Sequence, residues 1–227
     1  MLNKDIIKEI IFDFQKRVLP DLTRRQTDLE CPPNKIRTLI GARRVGKTFT
    51  LYQLIKDLLK QNTPRNRILL INFEDERLSL NSSELELITE SYQELYPEKS
   101  LNDCHIFFDE IHHIEGWENF IRELYYTSSQ NIYLAGSDTS IFNICERDEL
   151  SKKSIQQTLY PLSFEEYLSF KNYDDLQNSR IHLLRALEQF IKSGGFPELT
   201  LLDGDNHRQV LSRYFNTMIF RDIVERY

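Results

Sequence analysis

Apolar residues recur along this chain at two spacings, and the spacing changes from segment to segment. Ile6, Ile7, Ile10, Ile11, Phe14 and Val18 lie three or four apart and predict a first helix over residues 5–19, ended by Pro20. Residues 36–40 (Ile-Arg-Thr-Leu-Ile) form a short β-favouring run. Leu51, Leu54, Ile55, Leu58 and Leu59 then return to helical spacing over residues 49–60. The same exchange repeats downstream. Continuous apolar runs at 67–73, 105–108 and 131–135 read as buried strands, and residues 158–160 as a fifth. Residues 83–96, with Ser83 and Glu86 as a capping box, and the stripe Trp117, Phe120, Ile121, Leu124 and Tyr125 read as the helices between them. Strands alternating with helices predict an α/β fold with a parallel sheet.

Beyond Pro161 the strand signal stops. Residues 164–170, 174–192 and 207–227 all read as helices, with Gly194-Gly195-Phe196-Pro197 breaking the chain between the last two. The expected organisation is an α/β core over residues 1–162 and a helical lid subdomain over 163–227. The sequence stops at Arg226-Tyr227 within helical periodicity and without a cap, so a fragment of a longer protein is expected.

Composition narrows the class. The chain has 227 residues, 40% of them hydrophobic, which suits one ordinary domain with a small appendage. It has no run of 18 apolar residues and no signal-peptide pattern at the N-terminus, so a cytoplasmic protein without a membrane partner is expected. Cys31, Cys104 and Cys145 are widely spaced and read as free thiols. The net charge of −6 argues against general nucleic-acid binding by the whole surface. Arg24-Arg25, Arg65/Arg67 and Lys152-Lys153 read as solvated surface pairs, whereas Arg43-Arg44 falls inside a motif.

That motif is Gly-Ala-Arg-Arg-Val-Gly-Lys-Thr at residues 41–48, a full Walker A pattern set between a strand and a helix. Gly41, Ala42, Arg43, Arg44, Val45, Gly46, Lys47, Thr48 and Phe49 are therefore the expected nucleotide-binding residues. The glycines let the backbone turn with positive φ and come close to a phosphate. The loop N–H groups and the helix N-terminus make an anion nest. Lys47 would reach the β- and γ-phosphates, and the Thr48 hydroxyl would hold Mg²⁺. A second element supports the first. Ile106-Phe107-Phe108-Asp109-Glu110 is an apolar strand ending in two carboxylates, about sixty residues on. Asp109 would order the Mg²⁺ shell, and Glu110 would act as general base toward water. Ser137, at the end of the next strand, would sense the γ-phosphate, with Asp138 and Thr139 as alternatives. His112 and His113 lack the His-Glu-x-x-His order and are not read as zinc ligands.

Together with Leu-Ala-Gly-Ser, Tyr-Pro-Leu-Ser-Phe-Glu-Glu-Tyr-Leu and Gly-Gly-Phe-Pro-Glu, these motifs resemble the prokaryotic AAA-type ATPases, relatives of the archaeal ATPases of the STAND class. Those proteins usually carry a C-terminal domain of unknown function, which this sequence does not include. The resemblance runs from about residue 35 onward. It implies an ASCE P-loop NTPase core, a five-stranded, mainly parallel sheet in the order 5-1-4-3-2 flanked by helices. It also implies ATP and Mg²⁺ as ligands, and it matches Lys47, Thr48, Asp109, Glu110 and Ser137 to the family positions. Where that family often has Gly-Arg before Pro-Leu-Ser-Phe, this chain has Lys152-Lys153, so the arginine finger is unassigned, with Arg221 and Arg226 as further candidates. The expected function is a Mg²⁺-dependent ATPase serving as a switch or motor module. A non-hydrolysing nucleotide-gated module and a small-molecule phosphotransferase are the alternatives. No Asn-Lys-x-Asp element for guanine is present. The client, protein or nucleic acid, and the formation of a homo-oligomer are left open.

Overall fold

The computed structural model describes residues 2–27, 34–137, 149–173, 179–202 and 207–220. The chain divides into two compact units. The first comprises Met1–Asp21, Leu29–Ile40 and Thr48–Thr158; the second comprises Leu22–Asp28, Gly41–Lys47 and Leu159–Tyr227.

The first unit is built on five parallel strands: β1 (Ile36–Ile40), β2 (Ile68–Asn72), β3 (His105–Asp109), β4 (Ile132–Gly136) and β5 (Ser154–Thr158). Their order is β2-β3-β4-β1-β5, the order expected of an ASCE P-loop fold. β1 to β4 carry few polar side chains because a parallel sheet is covered on both faces. Ile106, Phe107 and Phe108 are all fully buried, and burial of such a side chain contributes about 1.5–3 kcal/mol. Alternation along the strands sends Ile36, Ile40, Leu69, Ile71, Ile106, Phe108, Ile132 and Leu134 into one core cluster. That cluster also takes the apolar stripes of three helices, α1 (Leu2–Lys16), α3 (Glu86–Leu95) and α4 (Trp117–Thr127). On the opposite face Phe107 and Tyr133 stack with ring centroids 4.1 Å apart, and the Arg37 guanidinium lies over Tyr133. Helix α2 (Lys47–Lys60) follows β1 through the loop at 41–46.

Three expectations about the first unit are corrected. Helix α1 is shifted from the expected 5–19 and stops at Lys16; Val18 is 89% exposed, so the apolar stripe ends at Phe14. The capping box is Asn81 with Glu84, not Ser83 with Glu86. The Asn81 side chain accepts from the Ser83 N–H, and a single 3₁₀ turn precedes α3. The fifth strand is Ser154–Thr158, several residues before the apolar 158–160. Among the described residues it pairs with β1 alone, at the sheet edge, so its side chains remain largely solvated and its polar sequence is tolerated. The polar Lys152-Lys153 pair lies in the 3₁₀ turn just before it.

The second unit carries α5 (Phe164–Phe170), α6 (Arg180–Ser193), α7 (Pro197–Leu201) and α8 (His207–Ile219). Helix α6 begins at Arg180 with Ser179 as its N-cap; the expected start at 174 lies outside the described residues. Helix α7 was not foreseen; Pro197 starts it at a position where a missing N–H costs nothing. Tyr167, Leu168 and Ala186 form a small core with Phe164, Tyr173, Leu183 and Phe190 against them. Asp138, Thr139, Arg221 and Arg226 lie outside the described residues. No helix among the described residues is long and apolar enough to cross a membrane.

Candidate functional site

The loop at 41–47 is shaped by two residues with left-handed backbone, Arg44 (φ 68°) and Gly46 (φ 100°). At Gly46 that backbone is the reason for glycine, since an L side chain there is strained. Gly41 is required for another reason, which corrects the expectation of a positive φ at both glycines. A Cβ at position 41 would stand 2.4 Å from the Leu159 carbonyl oxygen and 2.9 Å from Val45 Cγ2. The Lys47 ammonium is buried and donates to the carbonyls of Gly41 (3.0 Å) and Ala42 (3.2 Å). A cation is thus stored across the loop, at the start of a 14-residue helix whose N-terminus adds roughly half a positive charge. Arg44 is exposed; its guanidinium lies 5.5 Å from the Tyr214 ring and 3.6 Å from Glu198.

Gly41→Ala is expected to lower the thermal unfolding midpoint more than Gly46→Ala. The first drives a methyl into backbone, at about 1–3 kcal/mol. The second has space, with Pro197 3.6 Å away, and costs about 1–2 kcal/mol of backbone strain. Calorimetry of the two variants decides; an equal or smaller loss at position 41 would show that the Leu159 contact does not set the glycine.

In the first unit, the C-terminal end of β3 brings two carboxylates into a buried setting. Asn72 pairs in register with Asp109, and the Asp109 carbonyl accepts from Phe73 N (2.9 Å). The Asp109 side chain is 1% exposed, and its Oδ2 accepts the Thr48 hydroxyl proton at 2.5 Å. Both are hard oxygen donors of the kind Mg²⁺ selects. Glu110 then adopts the left-handed conformation (φ 57°, ψ 35°), uncommon for a residue with a side chain. Its N–H reaches the Ala135 carbonyl at 2.7 Å, and its carboxylate accepts from Ser137 N (2.8 Å) and Ser137 Oγ (3.1 Å). The backbone reversal at Glu110 therefore points its acid toward the end of β4. His112 Nδ1 lies 3.5 Å from the same carboxylate. Glu110, His112 and His113 each offer a ligating atom within 4.8 Å of the others. The two histidines sit on the 3₁₀ turn Ile111–His113 that Glu110 precedes, with His113 also 3.6 Å from Glu74, and Glu110 already holds Ser137.

A third constellation, in the second unit, was missed. Arg25 was expected to be a solvated surface cation, yet it is 6% exposed. Its Nε and Nη2 donate to the two oxygens of Glu166 at 2.7 and 3.1 Å, and its Nη1 donates to the Val45 carbonyl at 2.8 Å. Burial by itself would raise the Glu166 carboxyl; the Arg25 hydrogen bonds and the Ser163 and Gln26 N–H groups outweigh it and hold the group below the usual carboxylate range. Ser163-x-x-Glu166 is a capping box, the one local signal that could have marked Glu166. Nothing near Arg25 in sequence marks it, because its partner lies 141 residues away.

A parallel sheet in this order, with a glycine loop leading from β1 into a helix, defines the α/β P-loop NTPase class of fold. The family model for the AAA domain matches residues 33–168, and the chain belongs to that family. It is accordingly a nucleotide-binding, ATPase-like module. It is similar to an uncharacterized protein of Methanocaldococcus jannaschii, 33% identical over all of this chain and 51% of the relative. An uncharacterized protein of Haemophilus influenzae is 30% identical over 84% of this chain and 46% of its own length. The chain thus spans about half the length of these curated relatives. Among solved structures, S. cerevisiae Hsp104 in its complex with casein aligns at 15% identity and a TM-score of 0.42. That alignment covers 82% of this chain and 35% of Hsp104. C. elegans PCH-2 aligns at 14% identity and a TM-score of 0.38, over 78% of this chain and 46% of its own.

Proposed function

We propose that the chain binds ATP with Mg²⁺ and hydrolyses it, as a switch or motor module of a longer protein. The observation that carries this reading is the hydrogen bond from the half-buried Thr48 hydroxyl to the buried Asp109 carboxylate at 2.5 Å, followed directly by Glu110. An oxygen pair of this kind suits a hard cation, and a second carboxylate, held by Ser137, stands one residue on. In this reading the residues at 41–49 cradle the phosphates with their N–H groups. Lys47 exchanges its loop carbonyls for phosphate oxygens. Thr48 and Asp109 hold Mg²⁺, which when bound neutralises charge building on the phosphates. Glu110 accepts a proton from the attacking water, and Ser137, its hydrogen-bond partner, orients the carboxylate. Lys152, Lys153, Arg221 and Arg226 remain the candidates for a finger. The partner is an unidentified protein or nucleic acid, and a second copy of the chain that completes the site is part of the proposal.

The test is phosphate release from ATP with no added acceptor. Release that requires Mg²⁺ is the expected result. Nucleotide binding without release would favour a non-hydrolysing module, and release only with a small-molecule acceptor would favour a phosphotransferase. Absence of both binding and release would sink the proposal.

A further inference from the structure

We propose that Arg25 is a positioning residue for the phosphate loop, acting through the Val45 carbonyl and itself aimed by Glu166. This rests on reading residues 41–48 as that loop. The chain of contacts begins at the N-terminus of α5. Glu166 N donates to Ser163 Oγ at 3.1 Å, and Ser163 N donates to Glu166 Oε2 at 3.0 Å, so the carboxylate is fixed before it meets the arginine. Gln26 N adds a further bond to Oε1 at 2.9 Å. The guanidinium lies against this carboxylate as a two-pronged fork. Its remaining side reaches two backbone carbonyls, Val45 at 2.8 Å and Tyr160 at 2.9 Å.

The peptide joining Val45 to Gly46 is planar and trans, so its C=O and N–H point opposite ways. Drawing the Val45 oxygen toward Arg25 turns the Gly46 N–H away from it. The next residue, Gly46, has a φ of 100°, which glycine alone reaches without strain, so its backbone adapts more readily than that of other residues. Arg25 adds a constraint on that peptide through the Val45 oxygen, and a loop whose N–H groups are pre-aimed binds an anion without first having to order itself. A lysine would keep the charge but could not hold a carboxylate and two carbonyls in one plane. Stability alone gives no reason for such a pair, because a buried ion pair is often no better than two apolar side chains of the same volume.

The experiment measures Mg²⁺-ATP affinity, together with kcat and KM, for the wild-type chain, Arg25→Lys, Glu166→Gln and the double variant Arg25→Met/Glu166→Met. All are measured below their unfolding transitions. The double variant removes both charges together and is expected to unfold near the wild-type temperature. In each variant nucleotide affinity falls on the order of tenfold, and KM rises with kcat within about twofold, the pattern of lost ground-state binding. The double variant, stable but still weak for nucleotide, separates loop positioning from mere folding. Wild-type affinity in either Arg25→Lys or the double variant overturns the role of Arg25 and leaves the phosphate loop standing. A wild-type chain that does not bind Mg²⁺-ATP overturns both.

Discussion

Glu110→Gln leaves ATP binding near the wild-type level and lowers turnover by about 10²–10⁴-fold, the range for loss of a general base. The substitution is nearly isosteric, and the amide oxygen can still accept from Ser137 N and Oγ at 2.8 and 3.1 Å. The left-handed backbone at Glu110 comes from the chain reversal after β3, so it is kept. What disappears is the ability to take a proton. Phosphate release and nucleotide retention, measured on the same sample, separate the two effects. Turnover at the parent rate would place the base elsewhere and reduce Glu110 to an anchor for the end of β4.

Lys47→Ala is expected to act on binding. Lys47 is 5% exposed and its ammonium is held by two loop carbonyls, so the cation is already placed in the loop where an incoming anion would meet it. Its loss should weaken Mg²⁺-ATP binding on the order of 10²-fold, the scale for removing a charged donor from a buried site. Titration calorimetry reads the affinity directly. Binding within about twofold of wild type would mean that the loop N–H groups and the helix N-terminus suffice.

The contrast between these residues and Arg25 explains what the sequence could disclose. The places of Lys47, Thr48, Asp109 and Glu110 in the fold were legible because these residues sit where the apolar pattern changes, at the end of a buried strand or the start of a helix. β1 to β4 were legible because burial on both faces leaves a continuous apolar run. β5 was not, since an edge strand with Gln156 and Gln157 has a neighbour on only one side and no need of such a run. The apolar Leu159 and Tyr160 drew the expectation downstream, but Leu159 lies beyond the strand and Tyr160 is 70% exposed. Gly41 was assigned correctly to the loop for the wrong physical reason. Its constraint comes from a carbonyl more than a hundred residues away, which no local pattern encodes. Arg25 and Glu166 fail for the same cause.

Salt would sort the ion pairs of this protein into two populations. Lys4 with Glu90 and Glu94, Lys8 with Glu94, and Arg77 with Asp13 all sit at the surface, where mobile ions reach them. At physiological ionic strength, charges are screened over about 8 Å, and pairs like these contribute about 0–1 kcal/mol. Arg25 and Glu166, with side chains 6% and 7% exposed, admit no counterion between them. Brine that slackens the outer attachments of α1 therefore leaves the Val45 carbonyl where it was, and the loop keeps its shape across a range of salinity that the surface does not ignore.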